Sequence, residues 1–162
     1  TLATQALPDS ERIALEATRR TRLARAGQMF DAVRRELDGA GRRTALQDVY
    51  LRNSYFYTGD CAFDLRNFDE AIRAYDAAKE RYSRDPASLV AMVQIVNALI
   101  EMGEMDKAAT ANARARRFFE SLPASAWDDP TLPMTRKGWE RWLDSQAALG
   151  LFGATANAGG GE

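Results

Sequence analysis

The sequence predicts an all-α protein in which antiparallel helix hairpins stack along one axis. Three observations carry this. Gly59 is followed by Ala71, Tyr75 and Ala78, a small-and-large spacing that lets two helices touch. That spacing partly recurs 37 residues on, where Gly103, Met105, Ala108 and Ala115 repeat the register of the Asn67 turn, Phe68, Ala71 and Ala78. Self-similarity at such a period, with small residues kept and the rest varied, marks stacked helix pairs. Thirdly, apolar residues recur at three-and-four spacing between glycine and proline punctuation.

A helix is expected over 9–39. Asp9 or Ser10 supplies a cap, and Ala26, Met29, Phe30, Val33 and Leu37 make one apolar stripe before Gly39 and Gly41 end the run. Thr44 caps the next helix, rich in aromatics from Tyr50 to Phe63 and flattened by Gly59 and Ala62. Asn67 closes that helix and Asp69 caps its partner, which runs to Tyr82; so short a link makes the two antiparallel. Asp85 then Pro86 open a third main helix in the cap-then-proline manner. Its apolar residues, Leu89, Met92, Val93, Ile95, Val96, Leu99 and Ile100, cover more than half the circumference, so it is expected to be sandwiched. Gly103 stops it, and a fourth helix from Met105 to Ser121 packs through Ala108, Ala111, Ala115 and Phe118. After a loop holding Trp127, Pro130 and Pro133, Thr135 caps a last helix with Trp139, Trp142 and Leu143. The expected organisation is a single domain over 1–149, with repeats over 44–83 and 86–122, a capping helix over 134–149 and a flexible glycine-rich tail over 150–162.

Composition narrows the chemistry. With 46% apolar and 28% charged residues and no long apolar run, the chain reads as globular with no membrane-inserting segment. There is no histidine, which removes the commonest general base and metal ligand together. Cys61 is the single cysteine, so neither an internal disulfide nor a cysteine-built metal site is expected. The chain opens at Thr1 with no signal-peptide pattern, which leads to the expectation of a fragment or processed product. Between Arg19 and Arg43 stand eight arginines against three acids. That run is read as a solvated helix face or a hint of an anionic neighbour; it lacks interleaved aromatics and the domain is not net basic, so nucleic acid is not an expected partner.

Gly59, Ala71, Tyr75 and Ala78, with an aromatic at Tyr55, resemble the tetratricopeptide repeat; Gly103, Ala108 and Ala115 resemble it less fully. The second copy departs from the pattern at Asn112, where an aromatic is usual, and at Met92, where one often begins the repeat. Ala26, Phe30 and Val33 share the four-then-three spacing of a divergent earlier copy. The resemblance spans roughly residues 20 to 123 and implies a right-handed solenoid that acts as an interaction scaffold, without catalysis or cofactor. Extra residues before each copy's proline, as in SRDP and ESLP, look like repeats of bacterial envelope proteins such as outer-membrane assembly lipoproteins and the Tol-Pal coordinator group. A periplasmic location is implied by that likeness alone.

In such an array the first helix of each pair lines the concave side. The expected groove residues are Asn53, Phe56, Tyr57, Asp60 and Asp64 on one helix, and Val90, Val93, Gln94, Asn97 and Glu101 on the other. Rings contribute area at small entropy cost and amides pair with peptide backbone, which suits a peptide or partner protein. The competing reading makes Phe56 and Tyr57 core and satisfies the amides locally. Asp60 and Asp64, one turn apart, are weighed as an acid pair or metal site against a solvated face, and the face is preferred for want of a third ligand. Trp139 and Trp142 are expected to seal the end of the array, the alternative being an exposed docking patch. The rival to a peptide-binding scaffold is an assembly segment of a larger envelope protein whose groove is filled by its own chain.

Overall fold

The computed structural model describes residues 8–128 and 132–148. The expected tail over 150–162 and Pro130 lie outside them. Within them are six α-helices, α1 (Asp9–Asp38), α2 (Ala45–Asp64), α3 (Phe68–Arg81), α4 (Ser88–Glu101), α5 (Met105–Ser121) and α6 (Arg136–Ala148), with a short 3-10 helix at Ala124–Asp128. Among the described residues there is no strand. The chain divides into two compact units, Thr1–Asn67 and Phe68–Glu162, so the division falls inside the stretch 44–83 expected to form one repeat.

The first unit is a helical hairpin. Thr44 closes a capping box: its hydroxyl accepts from the Gln47 N–H at 3.2 Å, and the Gln47 side chain accepts from the Thr44 N–H at 2.8 Å. Arg43 ties the corner by donating to the Leu37 carbonyl at 3.0 Å and to the Asp48 carboxylate at 2.7 Å. It thus sets a cation on the carbonyl end of α1 while Asp48 sits in the amide end of α2, as the helix dipoles favour. Contacts show the relative direction of the two helices. Asp38 accepts from the Tyr55 hydroxyl at 2.6 Å, the Phe30 and Tyr57 rings lie 5.2 Å apart, and Arg19 reaches Asp64 at 3.8 Å. Descending α1 ascends α2, so the helices are antiparallel. At their close approach Gly27 faces Cys61, where a Cβ on Gly27 would stand 3.4 Å from the Cys61 Cβ.

Two expectations for α1 need correction. Met29 and Val33 are exposed, while Leu23, Gly27, Phe30, Arg34 and Leu37 are at least partly buried. One residue is about 100° of helix rotation, so the buried row at 23, 27, 30, 34 and 37 leaves Met29 and Val33 to one side. The cap also differs: Pro8 is the N-cap, and Asp9 lies in the first turn paired with Arg12 at 2.8 Å.

In the second unit α3 packs on α4, α4 on α5 and α5 on α6. The small residues sit where helices meet, since Ala71, Ala78, Ala108 and Ala115 have no exposed surface. α4 is the central helix, with Leu89, Ala91, Val93, Val96 and Ala98 buried among others. Asp69 does not cap α3, which begins one residue earlier at Phe68. Likewise α4 begins at Ser88, because Asp85 instead organises the preceding turn: its carboxylate accepts from the Ala87 N–H at 2.8 Å. Thr135 caps α6 as expected, accepting from the Gly138 N–H at 3.2 Å. Trp139 and Leu143 then join Leu89, Val93, Ala115 and Phe119 in one apolar cluster. Trp139 is 2% exposed, so it closes the end of α4 and α5 and is no docking patch.

The 37-residue recurrence has a backbone counterpart. Asn67 N–H bonds to the Ala62 carbonyl and Arg66 N–H to Phe63; Glu104 N–H bonds to Leu99 and Gly103 N–H to Ile100. Arg66 and Gly103 both take positive φ, 63° and 76°. The same left-handed helix stop therefore ends α2 and α4.

Candidate functional site

The residues expected on α2 share a side but differ in exposure. Asn53, Phe56 and Asp60 are half-buried, whereas Tyr57 and Asp64 are exposed. Helical steps place Asn53, Tyr57, Asp60 and Asp64 together and put Phe56 at the margin, where Arg52 lies 5.9 Å from its ring. Asp64 is engaged by Arg19, so it fastens the far end of the hairpin.

This side continues through residues that the periodicity did not single out for binding. Leu46 and Tyr50, two turns and one turn before Asn53, are 58% and 53% exposed. On α1, Met29 and Val33 lie one turn apart beside the row that packs on α2, a row whose Phe30 ring meets Tyr57. Met29 is 60% exposed and Tyr57 44%. The result is an open row of aliphatic and phenol side chains on α2 with Asn53 beside it, and an exposed thioether at Met29 on α1. The sequence held a clue: Met29 and Val33 stand one step off the row that α2 covers.

On α4 the expected residues divide. Val93 is part of the apolar cluster under Trp139 and does not line a groove. Val90 is half-buried and Glu101 exposed. Asn97 and Gln94 are half-buried and satisfy each other, the Asn97 amide donating to Gln94 Oε1 at 2.8 Å. These residues belong to the second unit and the α2 set to the first.

Burial and neighbouring charges displace several ionisable groups of the first unit. Cys61 is buried, and desolvation, then the Asp60 and Asp64 charges, push its thiol up, so the weakly nucleophilic protonated form prevails. Tyr55 is also raised, by burial and by its hydrogen bond to Asp38. The Arg34 hydrogen bond holds Asp31 below the usual carboxylate range, and Asp31 in turn raises Arg34. Each of these shifts moves its group further from neutral pH. Among the described residues no three carboxylate or thiol groups gather to hold a metal ion, and no helix is long and apolar enough to cross a membrane.

In comparisons with known proteins, no family model matches the chain, no curated protein matches it significantly, and no solved structure does.

Proposed function

We propose that the chain is a non-catalytic interaction scaffold of stacked helix pairs, akin to the tetratricopeptide repeat. Its recognition face is the open side of the α1 and α2 hairpin, formed by Met29, Val33, Leu46, Tyr50, Asn53 and Tyr57. The observation that carries this is the exposure of Leu46, Tyr50 and Tyr57 along one face of α2, with Met29 exposed on its partner helix. Apolar side chains gathered on one side of a hairpin mark a surface that gains by being covered, and phenol and amide groups give it polar selectivity. The partner is a protein or peptide; Gln94, Asn97 and Glu101 are a secondary polar face of the second unit. The helical stops repeated at Arg66 and Gly103 support the repeat reading.

The test places a photo-crosslinking benzoylphenylalanine at Tyr50, identifies the captured protein, and measures its purified affinity for wild type and for Leu46→Asp with Tyr50→Asp. Both positions are exposed, so the fold is retained. The double variant is expected to weaken binding about tenfold or more, as loss of aromatic anchors does. Unchanged affinity would defeat the assignment. Crosslinks confined to another segment of a longer parent chain would favour the rival reading, an assembly element of a bacterial envelope protein.

A further inference from the structure

A second concave surface lies wholly within the Phe68–Glu162 unit, on the side of α4 that the expected groove residues do not occupy. It is a cleft of about 400 Å³ walled by α3 and α5. Met92, Ile95 and Leu99 of α4 line it, spaced i, i+3 and i+7. At about 100° per residue, Gln94, Asn97 and Glu101 fall on the far side of the same helix. From α5 the lining runs between Asp106 and Arg114, a span of about 12 Å at the helical rise, or two turns. The cleft is thus a short trough whose apolar floor is open chiefly at Met92, since Ile95 and Leu99 are each 9% exposed.

Its walls carry three cations, Lys79, Lys107 and Arg114, and two carboxylates, Asp76 and Asp106. Asp76 is occupied by Lys79 at 2.6 Å. Lys107 meets Glu104 at 3.2 Å, but its side chain is 67% exposed, so that pairing is weak in water. No carboxylate pairs with Arg114 among the described residues. Lys107 and Arg114 lie seven residues apart on one side of α5, with Ala111 between them facing the trough. Asp106, at the start of the same wall, is likewise engaged by no cation among the described residues, so beside the apolar floor an occupant meets Lys107 and Arg114 against one carboxylate, a balance of one positive charge.

We infer that this trough docks an acidic amphipathic helix of a partner protein, its aliphatic residues on Met92, Ile95 and Leu99 and its carboxylates against Lys107 and Arg114. A helix is the fitting occupant because its own i, i+3 and i+7 side chains match a floor with that spacing and a wall two turns long. Selectivity comes from the α5 cations, which favour acidic over basic helices and respond to salt. The inference stands independently of the α1 and α2 face.

The probe is a fluorescein-labelled capped helical peptide of about 15 residues, long enough to hold helix when designed for it, with leucines at i, i+3 and i+7, three glutamates along one flank and alanine or glutamine elsewhere. Fluorescence anisotropy with the full chain is expected to show it binding about tenfold or more tighter than the version with lysines for glutamates. Lys107→Glu with Arg114→Glu should reverse that preference, and Thr110→Trp, at an exposed wall position, should block both peptides. Leu46→Asp with Tyr50→Asp should leave binding unchanged, which separates this site from the hairpin face. Equal affinity for both peptides, no binding at about 1 mM, a weaker limit than any specific docking, or no effect of the charge reversal in a variant with unaltered melting would overturn the inference. Equal binding of a proline-interrupted acidic peptide would overturn the helical form of the occupant.

Discussion

At the residue scale the same helix stop is built twice from different side chains. Gly103 takes φ of 76° with nothing near the place a Cβ would occupy, so replacing it introduces backbone strain and no clash. Gly103→Ala is expected to lower stability by about 1 kcal/mol, read as a lower midpoint in urea at unchanged slope. Arg66 already bears that conformation without glycine's freedom. Asp31 gives a pH-dependent counterpart. Its carboxylate is held down chiefly by the Arg34 hydrogen bond, with burial opposing and Arg35 assisting at 3.0 Å. A depressed folded-state pKa adds stability above the ordinary aspartate range and loses it as pH falls through the folded value. The stability gap between wild type and Asp31→Asn should therefore be full at neutral pH and shrink below about pH 4, the unperturbed aspartate range. A gap that stayed constant down to strong acid would show that the ion pair is not the source.

At the element scale, capping decided several boundaries and packing decided the faces. Thr44 and Thr135 were legible as caps because a hydroxyl three residues before a free N–H satisfies it wherever the chain goes next. Asp69 and Asp85 resemble caps equally well, yet Asp69 sits inside α3 and Asp85 serves the turn before α4. Local chemistry alone does not distinguish a cap from an acid in the first turn, since both satisfy the helix dipole. The closing helix α6 is held by Trp139, buried against Leu89, Val93, Ala115 and Phe119, and by Arg116 pairing with Asp144 at 2.6 Å. Trp139→Ala should cost about 3–5 kcal/mol, the range for emptying a large aromatic from a core. Differential hydrogen exchange should place the loss of protection in α4, α5 and α6 together; loss confined to α6 would mean that the helix is a loosely attached appendage.

At the scale of the whole molecule the chain is two compact units with unequal cores. The second unit buries α4 between α3 and α5 and closes with α6, whereas the first is one hairpin with Leu37, Leu51, Cys61 and Ala62 as its buried apolar side chains. Few buried side chains against the entropy of ordering two helices leave little net stability. A fragment comprising residues 68–162 should melt cooperatively by circular dichroism, while residues 1–67 alone should melt broadly or remain largely unfolded. A cooperative transition in the shorter fragment would contradict this.

By itself the sequence determined that the chain is helical, where most helices begin and end, and that Ala71, Ala78, Ala108 and Ala115 stand at helix contacts. Those features follow from local backbone preference and from size, which a residue carries into any environment. Tertiary structure decided which apolar residues are covered. Met29 and Phe30 are neighbours of similar hydrophobicity, and only the placement of α2 leaves one exposed and makes the other a packing residue. It likewise buried Val93, expected in a groove, and left a trough over Met92 edged by charged side chains of both signs, because both outcomes depend on where neighbouring helices lie around α4, a relation no single helix encodes.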